Sequence, residues 1–472
     1  MGAKLKIGFV AGFMAGFSTE GLKKFEDYQV ELSKIASGMD FELVNIKTII
    51  TSMPQAEAVR KELDDKNIDF CLLFHPSYII GDFIFEIMKA RAHFGLWAIE
   101  ELREEGPMPL ASLVNLSQNA GIAKNNFRGS PKKIKWFFGD MNSKYFKPRF
   151  EITVKALKAI KALENARVAQ IGKLADGHIN HMVDPRDIYE NLKVNVSRDY
   201  EIEDIMEMSE KIPVSEVEAE LKKLTDRVTI GKASPDKIKS SVKMFLAIKK
   251  IAQENNYSAI AFSCWPKLMP KKEMVGCLIN SMLNSIGLPG GCEADVLSTI
   301  SMLVLHVITE SPVAVMDLPK FDEKDESLLL WHCGSAPIEM ANPRGCICDK
   351  HYFAEYEESV KNCAPITDII FRKSDVTVFR LFDEGKKFYY FTGNFFNEGK
   401  KAFNGSRGWV NNLKLYNEPV KVMDLANTMI INGLPHHYPM VMENVSAYLE
   451  EMAYWLGLKK TVRLPYADYL YV

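Results

Sequence analysis

The chain has 472 residues, 47% hydrophobic and 25% charged, with 59 basic and 61 acidic side chains and a net charge of −2. That size and composition describe a globular protein of roughly two to four domains with sizeable cores. The near-neutral balance gives no long-range attraction to nucleic acid or to an anionic membrane, which excludes both as main partners.

Lys4 and Lys6 precede an apolar run from Ile7 to Phe17 that mimics a short signal peptide. Gly8, Gly12 and Gly16 interrupt it, and Ser18-Thr19-Glu20 opens a helix, so a first strand and a glycine turn are expected. The glycine spacing matches neither a dinucleotide-binding loop nor a P-loop, so no nucleotide cofactor is indicated. Segments 5–10, 41–49, 68–74, 95–99 and 134–138 read as strands, and 20–38, 56–67 and 78–91 as helices. Such alternation predicts a parallel sheet covered on both faces. A second α/β pattern follows, with helices over 151–163 and 236–254, strands over 166–171 and 258–262, and a long apolar helix opened by Glu293. Beyond about Ser311 helical periodicity gives way to short strand candidates at 366–371, 376–382, 387–392 and 420–426, with one helix over 442–456. That pattern predicts a closed or nearly closed antiparallel barrel. The expected fold is α/β: two doubly wound α/β domains, 1–150 and 151–310, then a β-rich, barrel-like domain over 311–472.

The eight cysteines show no C-x-x-C pair, which fits a reducing cytoplasm. No stretch approaches the ~18 uninterrupted apolar residues of a membrane span. A soluble, cytoplasmic protein is expected.

Four residues carry the chemistry. Glu293 follows the sharp turn Leu288-Pro289-Gly290-Gly291, Asp317 ends the apolar run Pro312-Val313-Ala314-Val315-Met316, and His332 ends Leu328-Leu329-Leu330-Trp331. His437 sits in Leu434-Pro435-His436-His437-Tyr438-Pro439. Polar groups at strand ends and turn exits point into the crevice where α/β sheets bind ligands. Two carboxylates and one or two imidazoles there would hold a divalent cation with open positions, suited to a polyhydroxylated carbonyl compound. Neighbouring side chains in an extended segment face opposite ways, so one of the histidine pair is expected to serve the metal and the other to orient the substrate or hydrogen-bond a metal ligand; His437 is preferred as ligand, with His436 kept open. His178, in an H-x-x-H loop with His181, is expected to face substrate. Trp97 could stack on a sugar face, Gln118 and Asn119 in a polar loop could donate to hydroxyls, and Lys267 could meet an anionic or hydroxyl-rich group.

The segments Gly290-Gly291-Cys292-Glu293-Ala294-Asp295-Val296, Val315-Met316-Asp317 and Leu330-Trp331-His332-Cys333-Gly334 resemble the L-fucose isomerase/L-arabinose isomerase superfamily. The resemblance is strongest from Ser263 to Pro337, with the histidine pair as a further anchor. It implies a metal-dependent aldose–ketose isomerase working through an enediolate. Glu293 and Asp317 would be ligands and share proton transfer, His437 would complete the ligand set, and His332 would be the additional histidine of the arabinose branch. That branch has Glu where this chain has Asp317. The implied ion is manganese, with cobalt or magnesium as alternatives. The implied assembly is a homo-oligomer, trimer or hexamer, with active sites near subunit interfaces; the loop around Phe13 and Met14 would reach a neighbour's pocket. The substrate class covers pentoses, 6-deoxyhexoses and hexoses modified at C6, for instance by a sulfonate, for which Lys267 or Arg407 could supply the cation. A non-catalytic sugar-binding protein, or a metal-dependent epimerase or aldolase, are the alternative readings.

Overall fold

Continuous apolar runs set the first sheet. Every side chain of Phe70–His75 is buried, as are five of the six in Lys6–Ala11 and in His93–Ala98, the mark of central strands covered on both faces. The computed structural model describes residues 4–265, 267–396 and 399–470, and the chain divides into two compact units, Met1–Lys161 and Ala162–Val472. In the first unit five strands lie in the order Glu42–Asn45, Lys6–Ala11, Phe70–His75, His93–Ala98, Ile134–Phe138, all parallel.

The second unit has two layers. One is a parallel sheet ordered Gly290–Cys292, Ala259–Phe262, Arg167–Ile171, Asn195–Ser197. The other is a six-stranded barrel. Val313–Asp322 pairs with Ser327–His332, then come Ser406–Leu415, Lys387–Phe395, Ser374–Phe382 and Tyr438–Val441, which returns to Val313–Asp322. Every pairing in the ring is antiparallel, so closure leaves no free edge in it. Met316, Leu330, Val378, Phe391, Val410 and Met440 belong to the apolar cluster this ring carries. Ile366–Ile370 lies outside the ring, parallel to Ser406–Leu415 and antiparallel to Cys346–Asp349. The fold is thus mixed α/β with a β-rich, barrel-containing C-terminal half. No helix among the described residues is long and apolar enough to cross a membrane.

Three local expectations are corrected. The strand expected over 420–426 is a helix, Val422–Ile431, because Val422, Leu425, Ala426 and Met429 share one buried face at helical spacing. The polar loop expected to carry Gln118 and Asn119 is a helix, Ser112–Asn125, whose inward face is itself polar at Ser112, Asn115 and Asn119. The helix expected to open at Glu293 runs from Val296 to Thr309 with Asp295 as its N-cap, the Asp295 carboxylate accepting from Ser298 N at 3.0 Å.

Candidate functional site

The Gly-Gly strand explains where Glu293 points. A Cβ on Gly291 would meet Thr299 Oγ1 at 2.0 Å, so only glycine lets the strand pass under the first turn of Val296–Thr309. Asn284 brackets Gly290 from both sides, its Oδ1 accepting from Gly290 N at 2.9 Å and its Nδ2 donating to Gly290 O at 3.1 Å. Asn280 Nδ2 donates to Gly291 O at 3.2 Å. The chain then reverses through two left-handed residues, Glu293 and Ala294, each with φ of 56°. Two successive non-glycine residues in that region store strain of the kind that marks functional turns.

Three barrel strands supply the other groups. Asp317 lies opposite Trp331 just before a bulge between Asp317 and Lys320, His332 ends Ser327–His332, and His437 immediately precedes Tyr438–Val441, where Tyr438 pairs with Met316. Asp317, His332 and His437 each offer a ligand atom within 4.8 Å of the others. His437 Nε2 is also 3.3 Å from Glu293 Oε2, while His178 Nε2 is 2.9 Å and His436 Nε2 3.5 Å from the same oxygen. His437 is thus close to both carboxylates. His181, His436 and His437 also bring ligand atoms within 4.8 Å of one another.

A buried ion pair lies behind these residues. Asp295 Oδ2 accepts from His437 Nδ1 at 3.0 Å and from Arg380 Nη1 at 2.9 Å, and Asp295 Oδ1 accepts from Arg380 Nη2 at 3.2 Å. Arg380 Nη1 also donates to the His437 carbonyl at 2.9 Å. Asp295 and Arg380 are 0% and 1% exposed; ions taken so far from water persist only when paired and hydrogen-bonded.

Charge states follow from these contacts. Burial opposes ionisation of Glu293, but the His436, His437 and His178 imidazoles close to it outweigh that and hold the carboxyl well below its ordinary range. Burial opposes ionisation of Asp295 too, and Arg380 overcomes it. Burial raises Asp317, which lacks an arginine. His437 is pushed up to about 10: burial works against the charge, and the hydrogen bond to Asp295 and the nearby Glu293 carboxylate prevail. Burial pushes His181 down to about 3, which leaves it neutral. Among the described atoms, Glu293 Oε2, Asp317 Oδ1, His178 Nδ1 and both ring nitrogens of His181 are buried without a hydrogen-bond partner, with His181 Nε2 3.5 Å from Asp295 Oδ2. An orphan of this kind costs about 1–3 kcal/mol, and a site that gathers several fits a cation that would supply the missing partner. Carboxylate and imidazole donors together could hold a divalent metal ion.

The remaining expected contacts are placed as follows. Trp97, in the first unit, is wholly buried, its ring centroid 4.5 Å from Tyr28, 4.2 Å from Phe146 and 4.9 Å from Phe74. Its N–H donates to Gly139 O at 2.8 Å. Core aromatics cover it, so it is not free to stack on a sugar. Asn119 is buried in the same unit, donating to His75 Nε2 at 2.9 Å and Asn115 Oδ1 at 3.0 Å. Gln118 is exposed and takes hydrogen bonds from Tyr78 and Asn115. Lys267 pairs with Glu201 at 3.2 Å and Glu203 at 3.0 Å, and Arg407 with Asp368. Asp295 and Arg380 escaped sequence reasoning. The signals were an acid two residues past Glu293 and an arginine inside the apolar run Val376-Thr377-Val378-Phe379-Arg380-Leu381-Phe382.

No family model matches the sequence. Two proteins, from Priestia aryabhattai and Priestia megaterium, are each 20% identical over 452 residues, covering 95% of this chain and 97% of their own length. A third, from a Clostridium species, is 28% identical over 100 residues, 21% of this chain and 22% of its own. All three carry the name sulfoquinovose isomerase. The chain is similar to isomerases along nearly its whole length. Among solved structures, a periplasmic solute binding protein from Actinobacillus succinogenes with bound D-allose is 12% identical, covering 57% of this chain and 82% of its own with a TM-score of 0.17, a likeness that carries no argument.

Proposed function

We propose that the protein is a metal-dependent aldose–ketose isomerase whose substrate is a hexose carrying a sulfonate at C6. The observation that supports this most is the convergence of Asp317, His332 and His437 beside Glu293, in a chain similar from end to end to sulfoquinovose isomerases. Glu293, Asp317, His332 and His437 would hold the divalent cation, manganese first and cobalt or magnesium as alternatives, which when bound supplies Lewis-acid polarisation of the carbonyl and charge stabilisation of an enediolate.

The chain's own residues do the rest. Glu293 and Asp317 carry the proton between C2 and C1 and between the oxygens, a task that needs carboxylates on fixed supports within reach of both carbons. Asp295 holds His437 by Nδ1 and Arg380 holds Asp295, so the imidazole presents Nε2 to the Glu293 side. His178 and His436, the more exposed imidazoles beside Glu293, orient sugar hydroxyls. Assembly as a trimer or hexamer with the site near an interface belongs to the same reading, and light scattering coupled to size exclusion tests it.

The decisive experiment is incubation of the manganese-loaded protein with sulfoquinovose and a panel of neutral aldoses, with the products identified by NMR. The corresponding ketose from the sulfonated sugar is the expected product, and a Glu293→Gln variant that folds normally should lose at least about 10²–10⁴-fold in turnover. Near-normal turnover in that variant, or a C2 epimer as sole product, would refute the reading.

A further inference from the structure

We propose that a cavity of about 640 Å³ beside the site, lined by Trp331, Tyr352, Phe403, Lys232 and Lys350, receives the far, anionic end of the substrate. Lys350 and Lys232 are the cations that recognise it. This assignment rests on the isomerase reading above and names the residues that would give that site its substrate preference.

The cavity adjoins the carboxylate–imidazole cluster through the chain itself. Trp331 precedes His332, with ring centroids 6.5 Å apart, and faces Tyr352 at 5.6 Å and Phe403 at 6.4 Å. Pro319, two residues past Asp317, lines the same space. A sugar whose first carbons lie at Asp317 and His332 can therefore extend its remaining carbons along the Trp331 and Tyr352 rings, whose faces pack against C–H groups. The volume falls within the range of about 300–1,000 Å³ typical of small-molecule sites.

Positive charge not paired with a carboxylate lies here. Lys267 and Arg407, the basic residues singled out from the sequence, are engaged by carboxylates. Lys350 Nζ donates only to the Lys361 carbonyl, at 3.1 Å, and neither it nor the Lys232 ammonium pairs with a carboxylate among the described residues. Two acids share the lining, Asp349 and Glu355. Asp349 Oδ1 accepts from the backbone N–H of Lys232 at 3.2 Å and of Lys350 at 2.8 Å, which ties the two lysine-bearing segments together. Glu355 is exposed at the rim. A sulfonate is a permanent anion with three acceptor oxygens, matched to two ammonium groups on backbone segments that Asp349 holds together.

The test uses methyl α-sulfoquinovoside, a locked glycoside that cannot open to a carbonyl and so reports binding without turnover, against methyl α-glucoside. Calorimetry on the metal-loaded protein and on a Lys232→Gln/Lys350→Gln double variant with unchanged melting reads both affinities. The expected result is a loss of about tenfold or more for the sulfonated glycoside, little change for the neutral one, and a matching rise in KM for sulfoquinovose with kcat retained. No binding of the sulfonated glycoside, equal losses for both glycosides, or an unchanged double variant would overturn the subsite. Selective binding of the sulfonated glycoside by a protein with no isomerase activity would instead retain the subsite and remove the isomerase reading.

Discussion

The His437 imidazole donates through Nδ1 to Asp295 Oδ2 at 3.0 Å, and that bond decides which ring nitrogen faces Glu293. Asp295→Asn removes it in two ways. The amide can present N–H to Nδ1 and reverse the tautomer, and Arg380 is left as a buried cation without its anion. Loss of such a partner is expected to lower stability by about 3–5 kcal/mol, and loss of an orienting carboxylate to weaken metal retention by about 10–100-fold. Chemical denaturation and metal analysis of the purified variant check both, and wild-type values in either would contradict the role given to Asp295.

Gly291 is expected to tolerate no side chain. Gly291→Ala forces a methyl to within 2.0 Å of Thr299 Oγ1, and overpacking of this kind costs about 1–3 kcal/mol. Thr299→Ala, introduced in the same chain, removes the colliding oxygen and should recover part of that loss. A double variant no more stable than Gly291→Ala alone would place the strain elsewhere.

Chelation should abolish turnover and lower the melting temperature together, because an ion that binds only the folded chain stabilises it by mass action. Activity should return with manganese or cobalt more readily than with calcium, given imidazole beside carboxylate. Full activity in metal-free protein would end the cation-based reading.

His75 offers a pH prediction away from the site. It is wholly buried and burial pushes it down to about 4, against weaker support from the Trp97 carbonyl. Its Nε2 accepts from Asn119, so the ring is neutral with the proton on Nδ1. The unfolded chain, with a histidine near 6.5, binds a proton that the folded chain refuses between about pH 6.5 and pH 4. Stability contributed by this group is therefore whole above pH 6.5 and falls by about 3 kcal/mol as pH drops to 4. An NMR titration of the His75 ring should show no protonation above about pH 5; a midpoint near 6.5 would disprove it.

Much of the first sheet was legible because its central strands are nearly continuous apolar runs, and Phe70–His75 and Ile134–Phe138 nearly coincide with the expected segments. Ser112–Asn125 was hidden by its own function in the core. Asn115 caps the Ile79 backbone through both N–H and C=O, and Ser112 bonds the His75 carbonyl, so polar residues occupy the positions where periodicity looks for apolar ones. The segment 420–426 misled for the opposite reason, since a short apolar run fits either period until its length is known. At the site, residue type and placement at strand ends marked Glu293, Asp317, His332 and His437. Asp295 and Arg380 act through a bond spanning 85 positions, and nothing in local patterning encodes such a partnership.

The closed ring of six strands has a bearing on how this protein could change. Asp317, His332 and His437 sit on or at the mouth of three successive staves whose alignment is locked by ladder hydrogen bonds on either side. A slip of one position in any one of these strands would turn its side chain to the opposite face and break up the group. The walls formed by Tyr352, Lys350 and Phe403 lie outside that lock. On the proposed function, preference for one sugar over another would drift by exchange of those walls while the barrel residues stay put.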